Sequence, residues 1–228
     1  MTKTESMKTS ITKPNSVFAI IGMIINCLIV FITILAILRL FIYQQVQVEG
    51  LSMYPNYDNK QYLLVNQLDK MFRRGQVVAV FANRDFSEQI ATKMNPIQSY
   101  LARFDCQDSL NCKAKFYLKR VIGLPNEEIE IVGANVTIYN KENPKGVILD
   151  EKYIPDATKN SENEREYRMN RTKIPENEYF VMGDNRPNSS DSRVLGTFPS
   201  YSMFGQEAMR FYPFDSFHIF TLQEYVYK

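Results

Sequence analysis

The chain has 228 residues, with 27 Lys and Arg against 25 Asp and Glu, a formal net charge of +2. That near balance offers no basic face for a nucleic-acid partner, and the length suits one compact domain plus one smaller element. Fourteen Tyr and fifteen Phe stand against no Trp, and there are three Cys and a single His. No low-complexity tract or internal repeat breaks the pattern.

Residues 1–16 are polar and read as a cytoplasmic N-terminal segment. Residues 17–43 read as a membrane anchor. Val17 to Leu38 is an unbroken uncharged run, and a bilayer core of ~30 Å needs ~20 helical residues. A secretory signal would have a shorter apolar core, ~7–15 residues, ending at a small-residue cleavage site. Here Arg39-Leu40-Phe41-Ile42-Tyr43 follows instead. Lys3, Lys8 and Lys13 precede the run with Glu5 as the only acid, while Arg39 alone follows it before Lys60. The excess of basic residues on the N-terminal side places that side in the cytoplasm and residues 44–228 outside.

Beyond the anchor, Val, Ile, Tyr and Phe concentrate in strand-length runs. Strands are predicted at Gln44–Glu49, Tyr62–Asn66, Gln76–Phe81, Phe116–Gly123, Glu128–Val132, Asn135–Tyr139, Glu178–Met182, Glu207–Tyr212 and Phe217–Thr221. Turns rich in Gly, Pro and Asn separate them, as at Arg73-Arg74-Gly75, Leu124-Pro125-Asn126 and Gly183 to Asn188. Two polar stretches, 82–115 and 141–172, lack this rhythm and are expected as peripheral insertions. No long amphipathic helix is expected after residue 43. The fold class is therefore mostly β, an antiparallel domain behind one N-terminal transmembrane helix.

Cys27 falls in the apolar run, where it serves as a small apolar residue. Cys106 and Cys112 enclose Gln-Asp-Ser-Leu-Asn on the outer side. An oxidising exterior permits a disulfide between them, and two free thiols in a surface loop is the alternative.

Three segments carry polar chemistry. Gly50-Leu51-Ser52-Met53-Tyr54-Pro55 presents a serine in a turn after an extended stretch. A serine hydroxyl is a weak nucleophile and needs a base beside it. The one histidine, His218, alternates with large apolar residues in Phe217-His218-Ile219-Phe220 and reads as a strand residue. Tyr117-Leu118-Lys119-Arg120-Val121-Ile122-Gly123 offers a different base, because burial among apolar groups disfavours an ammonium. Strand alternation sends Lys119 and Arg120 to opposite faces. The plain alternative is an exposed Lys-Arg pair on a solvated strand. The third segment, Tyr179 to Arg193, runs from an apolar strand into a dense polar loop that can supply a hydroxyl and an Asp/Arg ion pair.

These three blocks, in this order behind an anchor, resemble the signature segments of bacterial type I signal peptidases of the Gram-positive type. The matching runs are Gly-x-Ser-Met-Tyr-Pro at 50–55, Lys-Arg-Val-Ile-Gly-Leu-Pro at 119–125 and Met-Gly-Asp-Asn-Arg-x-Asn-Ser-Ser-Asp-Ser-Arg at 182–193. The resemblance implies the β fold shared by signal peptidases and repressor-type autoproteases. It implies a membrane-bound serine endopeptidase with a Ser/Lys dyad, cleaving signal peptides from preproteins after a small-x-small motif, and no cofactor or metal.

Carried over by residue, the resemblance makes Ser52 the nucleophile and Lys119 the general base. It makes Ser189 the hydroxyl that orients the lysine, and Asp191 with Arg193 an ion pair that Arg120 joins. Met53 and Gly183 pack against the dyad, and Val48 with Leu118 lines the substrate as it adds a strand. The Ser52 N–H binds the oxyanion, with no side-chain donor at Gly50. Asn56 departs from the threonine usual in the family. A self-cleaving repressor would carry a DNA-binding segment where this chain has an apolar run. A decayed, non-enzymatic module would have lost Ser52, Lys119 or Ser189 first.

Overall fold

A computed structural model describes residues 16–38, 42–95, 97–98, 102, 115–155 and 168–220. The chain divides into two compact units, Met1–Arg39 and Leu40–Lys228.

In the first unit α1 spans Ser16–Ile37. It is apolar all round, and its described side chains are exposed along its length. A helix with no polar face suits an apolar solvent, and this one is long and apolar enough to cross a membrane. Its one hydroxyl in the C-terminal half, Thr33 Oγ1, donates to Ile29 O at 2.8 Å, so it needs no outside partner.

The second unit is mostly antiparallel β. Its first strands are β1 (Tyr43–Gln47), β2 (Tyr62–Asn66), β3 (Val77–Phe81) and β4 (Phe116–Gly123). β5 (Glu128–Val132), β6 (Asn135–Tyr139), β7 (Val147–Ile148) and β8 (Arg168–Lys173) follow. β9 (Glu178–Met182), β10 (Phe198–Pro199), β11 (Met203–Tyr212) and β12 (His218–Ile219) complete the set. The larger sheet has the order β1-β2-β11-β3-β4-β9-β10, with β12 also on β11, and the smaller the order β7-β6-β5-β8. β3 reads Val-Val-Ala-Val-Phe and is buried at every position, as a central strand covered on both faces must be.

The cores follow the sheets. Ile122, Phe180 and Met182 of the large sheet pack with Ile129, Ile131, Val136 and Ile138 of the small one. A second cluster joins Val78, Val80, Val121, Val181 and Met203. A third, of Val48, Met53, Tyr57, Leu63, Val77 and Leu118, lies under the turn that carries Ser52. Each such side chain contributes about 1.5–3 kcal/mol by burial.

Both polar stretches contribute regular structure among the described residues. The stretch 82–115 contains a ten-residue helix, α2 (Arg84–Lys93), capped by Asn83, whose side chain accepts from the Phe86 N–H. It buries Phe86 against Phe81 and Phe204. The stretch 141–172 is not wholly peripheral, for it supplies β7 and the start of β8 and buries Leu149 and Ile154. Cys106 and Cys112 lie outside the described residues.

Candidate active site

The turn that carries Ser52 follows β1. Gly50 takes φ +81°, a conformation open to glycine at little cost, and its N–H bonds Asn59 Oδ1 at 3.1 Å. The Tyr54 N–H closes on Leu51 O at 3.1 Å and the Tyr57 N–H on Met53 O at 3.0 Å. Met53, 1% exposed, anchors the turn in the apolar cluster with Val48 and Leu118.

Lys119 comes from β4, held between β3 and β9. Val78 is its register partner on β3, and the β9 ladder begins at Arg120↔Met182. Its side chain is 3% exposed overall as a residue. The amine stands 2.8 Å from Ser52 Oγ and donates also to Leu118 O at 3.0 Å. Burial pushes the Lys119 ammonium down to about 8, against the pull of Asp191 and Asp184 and with a smaller push from Arg193. A serine hydroxyl thus faces an amine that loses its proton at mildly alkaline pH, the arrangement an activated nucleophile requires.

The polar loop after β9 is stitched to this pair by its backbone. The Asn185 N–H donates to Ser52 O at 3.0 Å, and Asn185 Nδ2 to Leu51 O at 3.0 Å. Gly183 allows the close approach, because a Cβ there would lie 2.5 Å from Ser52 O and nearer still to Ser189 Oγ. Asp191 is fully buried. It accepts from the Gly183 N–H at 2.9 Å and from Arg193 Nε at 2.8 Å. Burial raises its carboxyl, but the Arg193 guanidinium and the hydrogen bonds outweigh this and hold it below the usual range.

Two sequence-derived assignments differ from the structure. Arg120 does not join Asp191 and Arg193. It forms a separate forked pair with Asp184, Nε to Oδ1 at 2.8 Å and Nη2 to Oδ2 at 2.6 Å, and lies 4.0 Å from the Tyr153 ring centre. Ser189 Oγ is buried beside Gly183, but it has no partner of hydrogen-bonding geometry among the described residues. Its hydroxyl helps to hold the Asp191 carboxyl down, while the amine of Lys119 bonds Ser52 and Leu118.

Several contributors escaped the sequence reading. Asp184 also accepts from Asn56 Nδ2 at 2.8 Å, and the same amide donates to Tyr153 O at 2.8 Å. Glu151 pairs with Arg186, Nη1 to Oε2 at 2.9 Å, tying the strap 149–154 to the loop. Asp184 lies inside a quoted motif, so its place was a usable signal. Glu151 sits in a charged stretch with nothing local to mark it. His218 lies on β12, exposed and opposite Arg210. Among the described residues no group of His, Cys, Asp and Glu has the arrangement of a metal site.

The chain matches the family described as signal peptidase, peptidase S26, over residues 21–212. Signal peptidase I P of Bacillus subtilis subsp. natto is 31% identical over 199 residues, 82% of this chain and 87% of that protein. Signal peptidase I S of Bacillus subtilis (strain 168) is 29% identical over 197 residues, 83% of this chain and 88% of that one. A crystal structure of a signal peptidase I from Enterococcus faecalis V583 covers 59% of this chain and 95% of its own, with 24% identity and a TM-score of 0.37. Matched along most of its length, and to relatives themselves covered almost throughout, the chain belongs to the signal peptidase family, peptidase S26.

Proposed function

We propose that this peptidase removes N-terminal signal peptides from exported preproteins after a small-x-small, Ala-x-Ala-like motif, using Ser52 and Lys119 as its dyad. The observation that carries the reading is the 2.8 Å contact between Ser52 Oγ and the amine of Lys119, a residue only 3% exposed.

The neutral amine of Lys119 takes the hydroxyl proton as Ser52 Oγ attacks the scissile carbonyl. The Ser52 N–H receives the oxyanion, a donor role that weighs heavily in acyl transfer. The Lys119 ammonium then protonates the leaving amine, and the signal peptide stays as an ester on Ser52. Water, deprotonated by the regenerated amine, hydrolyses that ester. Every proton passes among Ser52, Lys119, substrate and water, so the scheme calls for no cofactor. Asp191, Arg193 and Gly183 hold the loop against the nucleophile turn, with Ser189 lodged between.

The substrate path is supported by an open edge. β4 pairs with β3 from Phe116 onward, but with β9 only from Arg120. Residues 116–119 therefore present backbone to an added strand. Val48 and Leu118 lie beneath it in one apolar cluster, and the exposed pair Glu49–Lys115, 3.3 Å apart, spans the outer rim. Tyr212, Phe214, Phe217 and Ile219 are exposed at the end of β11 and around β12, an apolar and aromatic surface of the kind that favours a lipid interface.

The test is cleavage of a preprotein whose signal ends in Ala-x-Ala by detergent-solubilised protein, read by N-terminal sequencing. The new N-terminus should fall directly after that motif, and Ser52→Ala and Lys119→Ala should each abolish the product. Cut sites elsewhere, or activity in the Ser52 variant, would sink the reading.

A further inference from the structure

Behind the Ser52 turn lies a half-buried acid that the Ser/Lys chemistry leaves unused. Glu207 sits on β11, opposite Val65 of β2. Its Oε2 accepts the hydroxyl hydrogen of Tyr57. Tyr57 is 3% exposed and ends the turn that Ser52 begins, with its own N–H on Met53 O. One β11 side chain therefore holds the far end of the segment whose near end carries the nucleophile.

A second β11 residue reinforces the same end. Arg210 Nη1 donates to Asn56 O at 3.0 Å, and its guanidinium lies 5.8 Å from the Tyr57 ring centre. The Phe220 ring packs against Tyr57 at 5.9 Å. Glu207 is faced by the Tyr57 hydroxyl from the turn, Arg120 from β4, Asp184 from the loop after β9 and the Val77 backbone from β3. Arg120 is already forked onto Asp184. The hydrogen-bonded side-chain partner of Glu207 is thus a neutral hydroxyl.

A carboxyl is a costly choice where packing alone is needed, since a buried polar group must be matched by a bond. Beside the Val77 backbone, its side-chain bond is to the turn. We propose that Glu207 is a positioning residue for cleavage: by holding Tyr57 it fixes the 52–57 turn, and with it Ser52 Oγ, against Lys119. This inference rests on the Ser/Lys reading above.

Burial pushes Glu207 up to about 7, with Asp184 adding to the rise and Tyr57 and Arg120 opposing it. Its charge therefore changes just below the range in which Lys119 becomes neutral. A glutamine keeps an acceptor for Tyr57 and cannot ionise. An alanine removes both.

The experiment compares the full chain in detergent with Glu207→Ala, Glu207→Gln and Tyr57→Phe, each checked for folding by its thermal transition. Values of kcat and KM for preprotein cleavage are followed from acid to alkaline pH. Glu207→Ala and Tyr57→Phe should lower kcat by about 10- to 100-fold, the scale of a small misplacement of reacting groups, with KM unchanged. Glu207→Gln should restore most of kcat at neutral pH. Its profile should lose the ionisation near 7 and keep the one near 8. A folded Glu207→Ala or Tyr57→Phe protein with wild-type kcat overturns the proposal, as does a folded Glu207→Gln protein no more active than Glu207→Ala. Should Glu207→Ala fail to fold, the other two variants decide. Ser52→Ala separates the two claims: activity there refutes the dyad, whereas its loss alongside a fully active Glu207→Ala refutes only the positioning role.

Discussion

As the proposed base, Lys119 would work only while neutral, and its surroundings set how often that is. Burial brings the ammonium to about 8, so below that pH the neutral fraction falls tenfold per unit. Cleavage should rise along an acid limb centred near 8, measured as kcat at saturating preprotein. A flat rate from acid to alkaline pH would remove Lys119 as the base. Lys119→Arg should be inactive at every pH, because a guanidinium does not release its proton in this range. The same burial has a cost in stability. The folded protein holds its Lys119 proton less tightly than the unfolded chain, which lowers stability at pH values below about 8 and relieves it as pH rises from about 8 toward 10.5. Lys119→Met removes the buried charge and keeps the volume. It should raise unfolding stability at neutral pH, by up to ~3 kcal/mol on the scale of ~1.4 kcal/mol per pKa unit, while abolishing cleavage. Urea unfolding at neutral pH and at pH above 10 checks this, since the gain should shrink at the higher pH.

Elements place these groups, and they were unevenly legible. β2, β4, β5, β6 and β9 have the bounds their sequence predicts, because apolar runs of strand length end there at Gly, Pro or Asn. β8 reads Arg-Met-Asn-Arg-Thr-Lys and is almost wholly exposed, so it carries no apolar face to betray it. β11 begins at Met203, four residues before its predicted start, because Gly205 interrupts the run. That glycine is required where the strand passes close over the Asn66 backbone. α2 did leave a signal, Asn83 as cap with Phe86 and Ile90 one turn apart, but the polar residues around them masked it. In the site, Ser52 and Lys119 were legible because each stands in an apolar context that leaves its polar group conspicuous. Arg120 was assigned to the wrong acid because no spacing rule reports which of Asp184 and Asp191 faces it across β4 and β9. Asp184 is 1% exposed and holds both Arg120 and Asn56. Asp184→Ala should therefore strand a buried guanidinium and cost about 3–5 kcal/mol in urea unfolding, far more than the loss of a surface pair. A change under about 1 kcal/mol would mean that Arg120 finds another partner.

At the scale of the whole molecule, the reaction and the anchor must serve the same substrate. Signal peptides are apolar segments, and a peptidase that cuts beside them has to work at the membrane face. α1 supplies a helix able to cross a bilayer. In the chain, Ser52 follows the last residue of α1, Ile37, by fifteen positions. Orientation rests on charge: Lys3, Lys8 and Lys13 stand on one side, and Arg39 alone close on the other. If that bias sets the topology, the basic side is retained in the cytoplasm and Leu40–Lys228 faces the side where preproteins emerge. Protease added to intact cells stripped of wall or outer membrane should then digest the β unit and leave an N-terminal fragment protected. Adding Lys residues just after Ile37 should weaken this orientation, because the signal is a difference in basic charge between flanks rather than a property of the β unit. Protection of the β unit in intact cells, with digestion only after lysis, would place the dyad on the cytoplasmic side, away from emerging cleavage sites, and the signal-peptide reading would fall with it.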